Sequence, residues 1–295
     1  METADPTIQL LTAEDLDGAF RLSAGAGWNQ RLADWRMLLQ LAPAGSFAAV
    51  ADGTIVGTAI GIDYGTFGWI AMMLVDPAWR GRGVGARLLE SAMGAVPPGM
   101  PIRLDATPLG RPLYQRYGFE DEDTLTRHVA EPSRPRVNRT AGASSSQVRR
   151  LRAADLPAVI ARDDLIFGAH RRILLRWALE GAGQYAHAID SDAGVQYCFG
   201  RSGRLFDQIG PVVSSDDDAA RALVDAALVA ADGKSVVVDA FDRHTEFTSW
   251  LGTRGFTASR PLFRMQHAGH DGERGSGSTT HAGFSERAIF GPEFG

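Results

Sequence analysis

Cysteine, lysine and long apolar runs are scarce in this chain of 295 residues. Because Cys198 is the only cysteine, an intrachain disulfide is excluded and a reducing compartment is favoured. The chain carries a net charge of −5, has a single lysine (Lys234) and contains no cluster of basic residues separated by aromatic ones. Nucleic acid is therefore not expected as a partner.

No apolar run approaches the ~18 residues of a membrane-spanning helix, so we expect no membrane partner. Residues 1–5 contain no basic region leading into an apolar stretch. We therefore expect no signal peptide and a cytoplasmic location. Cys198 lies in a strand-like run, where a free cysteine is more often a packing residue than a nucleophile.

What the chain does contain is an ordinary globular composition, with 44% hydrophobic and 22% charged residues. Its length predicts two domains, at about 100–200 residues each. A stretch rich in proline, serine and arginine begins at Glu131 and lacks apolar periodicity, which is typical of a linker. We predict a first domain at 1–131, a linker at 132–147 and a second domain at 148–295. Its glycine- and serine-rich segment 267–284 is expected to be flexible.

Helix and strand patterns alternate in the first domain, which predicts an α/β (α+β) fold. Thr12 and Asp15 have the spacing of a capping box at the start of a helix. Asp52-Gly53 between two strand-like runs predicts a hairpin turn. The almost wholly apolar run 67–75 predicts a central strand that is covered on both faces.

The second domain repeats the first weakly. Leu11–Leu16 returns as Leu151–Leu156, and Tyr117–Phe119 is echoed by Arg254–Phe256 at nearly the same offset. Agreement between two distant anchors favours a duplication. We therefore expect two similar domains that pair as a pseudo-dimer within one chain, while monomer and homodimer both stay open.

The most informative motif lies where the apolar run ends and a helix begins. Gly81, Gly83 and Gly85 leave backbone N–H groups uncovered, and the helix start adds unpaired donors with a partial positive charge. Arg80 and Arg82 add full positive charges. This combination favours binding of a pyrophosphate, although the glycine spacing alone is also compatible with a turn that binds nothing.

Two motifs in order resemble the GCN5-related N-acetyltransferase (GNAT) superfamily. Arg-x-x-Gly-x-Gly after a Val-x-Pro strand end, at Val75–Gly85, resembles motif A of that family. Leu113–Phe119 resembles its motif B, Leu-Tyr-x-x-x-Gly-Phe. The resemblance covers about residues 7–130. Nucleotide-binding alternatives fail, because the motif lacks Gly-Lys-Ser/Thr and no acidic residue ends a strand about 20 residues later.

The resemblance implies transfer of an acetyl group from acetyl-CoA, as co-substrate, to an amine by direct attack in a ternary complex. It also implies that each domain is a mixed, mostly antiparallel sheet flanked by helices. No metal is implied. The acceptor is expected to be a small-molecule or peptide amine.

The resemblance also implies roles for individual residues. The pantetheine arm would pair with strand backbone at Met73, Leu74 and Val75. The pyrophosphate would be held by Arg80, Gly81, Arg82, Gly83, Val84 and Gly85. Thr107 stands where the family often has asparagine and is expected to contact pantetheine or water. Tyr114 is expected to protonate the departing thiolate, with a core aromatic as the alternative and Tyr117 as the packing tyrosine.

The acceptor side is less well specified. Trp28 and Asn29 lie between the first two helices, where the family builds its acceptor site, although Trp28 could equally be a core residue. The apolar run 67–75 has no ionisable side chain that could act as general base. Asp105 is a candidate by position, together with Asp34 and Asp63, and each could instead be a turn or solvated residue.

The second domain resembles the degenerate C-terminal domain of tandem bacterial acetyltransferases. Its counterpart of motif A, 209–218, lacks the arginine and glycine pattern and carries three acids that would repel a pyrophosphate. We therefore expect one acetyl-CoA per chain, with the second domain shaping the acceptor site and the apolar end 288–295 docked. Two alternatives stay open: an acyl-CoA sensor without turnover, and a tandem acyltransferase similar to mycothiol synthase.

Overall fold

A computed structural model describes residues 5–132, 148–231, 233–269, 281 and 283–295. The predicted linker and most of the predicted flexible segment lie outside the described residues. The first half of the chain forms β1 (Thr7–Leu10), α1 (Leu16–Gly25), α2 (Leu32–Leu41), β2 (Ser46–Ala51), β3 (Thr54–Asp63), β4 (Gly68–Val75), α3 (Val84–Gly94), β5 (Ile102–Ala106), α4 (Arg111–Arg116) and β6 (Glu120–Ala130). The second half forms β7 (Arg149–Arg150), α5 (Leu156–Phe167), α6 (Arg172–Ala182), β8 (His187–Ser191), β9 (Gly194–Arg201), β10 (Asp207–Ser214), α7 (Asp217–Ala230), β11 (Val236–Phe241), α8 (Thr245–Thr253), β12 (Thr257–His267) and β13 (Ser285–Ala288).

Local signals act as the sequence indicates. The backbone N–H of Thr12 donates to the Asp15 carboxylate at 2.8 Å, completing the capping box just before α1. Asp52 and Gly53 both have positive φ, at 48° and 71°, and turn β2 into β3. These two predictions are confirmed. Cys198 is fully buried, and burial raises the pKa of its thiol to about 12, as expected for a packing residue.

The thirteen strands of the described residues form one continuous sheet in the order β1-β2-β3-β4-β5-β12-β6-β11-β13-β10-β9-β8-β7. Neighbouring strands are antiparallel except for β4 with β5 and β10 with β11, which pair in parallel. Each parallel pair is joined by a helix, α3 in the first half and α7 in the second. The α/β fold, with a mixed and mostly antiparallel sheet flanked by helices, is therefore confirmed, and the two halves repeat one plan.

The two halves exchange their last long strands. β12 of the second half lies between β5 and β6, with Met265 opposite Leu104. β6 of the first half in turn pairs with β11, with Val129 opposite Val237. Each half therefore completes its sheet with a strand supplied by the other.

Helices cover both faces of the sheet. α3 packs on one face of the first half, where Leu88 and Leu89 are fully buried. On the other face, buried residues of α1, α2, α5 and α6 form one apolar core that spans both halves, including Leu38 and Leu174. Within the described ranges, every helix is too short or too polar to cross a membrane.

Candidate active site

The parallel strands β4 and β5 separate soon after they start. They pair only at Gly68 with Ile102 and at Trp69 with Arg103. Beyond these residues the two strands no longer pair, and we call the space between them the split. Met73, Leu74 and Val75, the residues predicted to pair with pantetheine, lie along this part of β4.

A bulge in β4 marks the start of the split. Met72 has a positive φ of 51°, which is uncommon for a residue other than glycine. The pairing of β4 with β3 shifts register at this point, and the Thr58 hydroxyl donates to the Met72 carbonyl at 2.8 Å. Bulges re-aim a strand and its side chains, and this one lies on the stretch of β4 that borders the split.

The segment Arg80–Gly85, called the glycine turn here, follows the open end of β4. Gly81 and Gly83 adopt left-handed conformations, with φ of 75° and 77°, which explains the choice of glycine. A Cβ atom at either position would meet nothing within 4 Å, so the backbone there is open to a ligand. α3 begins at Val84, and its first N–H groups have no acceptor within the helix.

Two arginines flank these N–H groups on the surface. Arg80 is exposed, and its Nε donates to the Val75 carbonyl at 3.0 Å. The Arg82 guanidinium lies over the Trp79 ring at 5.0 Å from its centroid. Together with the partial positive charge of the helix start, they form a site that fits an anion such as a diphosphate.

Tyr114 lies on α4 and lines a cleft at the inner end of the split. Its ring is buried against Phe119, with 5.9 Å between the centroids. Burial raises the pKa of the phenol, and its hydroxyl makes no hydrogen bond to any described residue. Tyr117 is less buried and donates to Glu90 on α3 at 2.6 Å, so it lies nearer the surface than a core residue would.

The cleft brings together residues from both halves of the chain. The first half contributes residues from the loop between α1 and α2, from β4, from β5 and the loop after it, from α4 and from β6. They are Trp28, Asn29, Gln30, Ile70, Ala71, Met72, Met73, Asp105, Thr107, Gly110, Tyr114 and Arg127. The second half contributes Arg260 and Leu262 from β12, and Pro292 and Glu293 from the C-terminal segment. Thr107 lies on this wall, and its hydroxyl accepts from the Gly110 backbone N–H at 3.2 Å.

Two residues predicted for the acceptor site join the halves of the chain. The Asn29 side chain donates to the Phe206 carbonyl at 3.0 Å and accepts from the N–H groups of Leu205 and Phe206. The Trp28 carbonyl accepts from Arg204 Nε at 3.0 Å. Both residues line the cleft, but the Asn29 amide is already bonded to the loop between β9 and β10.

The carboxylates proposed by position have other partners. Both oxygens of the buried Asp105 accept from Arg264, each at 2.9 Å. Asp34 is buried and paired with Arg201 at 3.0 Å. Asp63 is an exposed turn residue that accepts from the Gly65 N–H. Each of these carboxylates therefore already accepts a hydrogen bond or forms an ion pair within the chain, and Asp105 also lines the cleft.

Glu293 was missed by the sequence reasoning. Its Oε1 accepts from Arg201 Nη2, while its buried Oε2 has no hydrogen-bond partner among the described residues. Burial raises the pKa of this carboxyl group, and the charge of Arg201 only partly offsets that effect. The sequence offered one clue to Glu293: it is an acidic residue within the otherwise apolar end 288–295. That end belongs to the second half, which lacks the glycine and arginine pattern of motif A.

The corresponding split in the second half is filled. β10 and β11 pair in parallel only at their first residues, as β4 and β5 do. β13 then lies between them, with Ala288 opposite both Val212 and Ala240. A Cβ on Gly210 would lie 1.9 Å from the Ile289 carbonyl, so the chain approaches its own backbone closely. The Asp216 carboxylate caps α7 by accepting from the Ala219 N–H at 2.8 Å.

Comparisons with known proteins agree with this arrangement. Residues 43–121 and 159–277 each match a family model described as an acetyltransferase (GNAT) domain. The uncharacterized N-acetyltransferase YitH of Bacillus subtilis (strain 168) is 24% identical over 260 residues, covering 87% of this chain and 89% of its own.

Two solved structures share the fold along almost their whole length. A proposed acetyltransferase from Pyrococcus horikoshii is 19% identical, with a TM-score of 0.73, and the match covers 100% of this chain and 98% of that one. A tandem GNAT protein from the clavulanic acid biosynthesis pathway is 14% identical, with a TM-score of 0.62, and the match covers 90% and 98%. Each half of the chain matches a GNAT family model, and both halves have the same sheet plan. The chain therefore belongs to the GNAT acetyltransferases and carries two GNAT domains in tandem.

Proposed function

We propose that this chain is an N-acetyltransferase that moves the acetyl group of acetyl-CoA to an amine within a ternary complex in its first half. The difference between the two splits carries the proposal. Between β4 and β5 the split is open and leads to the exposed glycine turn. Between β10 and β11 the same space holds β13, and acidic residues stand at the start of α7.

The first half has a site for each part of acetyl-CoA: the pantetheine arm, the pyrophosphate and the thioester. Backbone groups of Met73–Val75 would pair with the pantetheine amides, as an added strand would. The glycine turn would hold the pyrophosphate with its N–H groups and with Arg80 and Arg82. Bound acetyl-CoA supplies a thioester carbonyl, which would then lie at the inner end of the split beside Tyr114.

Two residues of the cleft would move protons. The acceptor amine arrives as an ammonium and must lose a proton before it attacks, and Glu293 is the carboxylate with an oxygen to receive it. The N–C bond then forms, the C–S bond breaks, and the nitrogen releases its second proton to solvent. Tyr114 donates its proton to the departing sulfur, and solvent restores the phenol.

Calorimetric titration with acetyl-CoA tests the donor site. We expect a stoichiometry near one per chain and loss of binding in the Arg80→Glu, Gly83→Asp double variant. The Gly25→Asp, Arg36→Glu variant is the matched control, because it adds the same charges at exposed positions on α1 and α2. A stoichiometry near two, or binding that survives the first double variant, would overturn the proposal.

A further inference from the structure

Three residues that line the cleft each carry a buried polar atom without a hydrogen-bond partner in the described part of the chain. These atoms are Gln30 Oε1, Glu293 Oε2 and Arg260 Nε. Two of these atoms accept hydrogen bonds and one donates. Buried polar groups are nearly always hydrogen-bonded, so unpaired ones on the wall of a cleft indicate a ligand that supplies the partners.

Arg260 is unusual among the charged residues of this wall. Arg127 beside it forms two hydrogen bonds of 2.7 Å with Asp239. The half-buried Arg260 forms no ion pair with the residues described. Burial and the charge of Arg127 lower its pKa, and the carboxylates of Asp239 and Glu293 offset this only in part. A guanidinium remains charged in proteins, and its donors match the two oxygens of a carboxylate. An anionic group of the ligand would therefore compensate this charge.

The opposite charge lies on the same wall. Glu293 is buried to all but 3% and has Gln30 beside its carboxylate. Its Oε2 and the Gln30 Oε1 can accept the N–H groups of an amine. The cleft thus presents a cation and an anion to its ligand. A molecule that carries both an ammonium and a carboxylate would complement the two charges at once.

We infer that the acceptor is an amine that also carries a carboxylate, as an amino acid does, and that Arg260 binds this carboxylate. The inference rests on the proposed function, because the amine must lie beside the acetyl donor. The amine nitrogen forms the new bond to the acetyl carbon as the C–S bond breaks. The ammonium gives its first proton to Glu293 before the attack and its second to solvent after it, and coenzyme A leaves as the thiol with the proton of Tyr114.

Matched acceptor pairs test the inference. Release of coenzyme A is measured with L-leucine, L-methionine and L-phenylalanine, each against its own carboxamide. We expect kcat/KM to favour an acid over its amide by about tenfold or more, the value of a hydrogen bond to a charged group. Arg260→Gln should raise KM for the acid by a similar factor and leave KM for the amide and for acetyl-CoA unchanged.

Two further variants make the comparison specific. Arg260→Lys keeps the positive charge but cannot donate two parallel hydrogen bonds to a carboxylate. We therefore expect it to retain part of the preference for the acid over the amide. Arg36→Gln removes an exposed arginine on α2 and should leave the preference intact. Equal kcat/KM for acid and amide in the native protein overturns the inference. An equal loss of kcat/KM for both acceptors in Arg260→Gln overturns it as well. Native protein that binds acetyl-CoA but acetylates no acid overturns the inference alone, whereas failure to bind acetyl-CoA overturns the proposed function.

Discussion

Replacing Tyr114 with phenylalanine removes one hydroxyl from the cleft and keeps the ring against Phe119. The hydroxyl makes no hydrogen bond to any described residue, so we expect the free energy of unfolding to change by less than about 1 kcal/mol. Burial holds the pKa of the phenol above its ordinary value of 10. Tyr114 therefore stays protonated at neutral pH and is available as a proton donor.

The expected effect on the rate is much larger. A positioned proton donor typically contributes about 10²–10⁴-fold. At about 1.36 kcal/mol for each factor of ten, that is about 3–5 kcal/mol of the activation free energy. We expect kcat to fall by about 10²-fold or more while KM for acetyl-CoA barely moves, because the contact is used only in the transition state.

The assay follows thiol release with a chromogenic reagent at saturating acetyl-CoA. Tyr117→Phe is the matched control: it removes a hydroxyl bonded to Glu90 near the surface and should leave kcat nearly unchanged. A Tyr114→Phe enzyme with native kcat would refute the proton-donor role. A large loss at Tyr117 with none at Tyr114 would assign that role to the other tyrosine.

Two further predictions concern the C-terminal segment. Burial raises the pKa of Glu293 above its ordinary value of 4.5, and the base acts only when ionised. We therefore expect kcat/KM to rise with pH through that raised pKa, and Glu293→Gln to remove this acid limb; an unchanged profile would exclude Glu293 as the base. Phe294 is fully buried, with its ring 5.4 Å from Phe290 and 5.8 Å from Trp177. Phe294→Ala should lower the free energy of unfolding by about 3–5 kcal/mol in urea titrations. Leu109→Ala, at a residue 78% exposed, should change it by no more than about 0.5 kcal/mol, and similar losses in both variants would contradict this account.

Features set by a few neighbouring residues could be predicted from the sequence. The Thr12–Asp15 capping box and the Asp52-Gly53 turn depend on short-range hydrogen bonds and backbone preferences. The glycine turn is likewise a local pattern. Its ligand stays a prediction, because a ligand depends on what surrounds the turn.

Partners far apart in the chain could not be predicted in this way. β6 and β12 both have the pattern of a strand, and nothing local specifies which half each one joins. Asp105 could be recognised as a carboxylate near the site, but its partner Arg264 lies in the other half. Arg260 reaches the cleft only because β12 crosses over. The part of the cleft wall that Arg260 forms is therefore a product of long-range strand pairing.

The crossed strands also determine when the protein can fold during synthesis. The ribosome releases β5 long before it makes β12, the strand that covers the edge of β5. Until residue 267 has emerged, the growing chain carries an open edge, which is a template for pairing with other chains. Closing it needs a contact between segments distant in sequence, which slows folding. The two halves therefore fold as one unit, and a change in the second half that disturbs β12 also disturbs the sheet of the first.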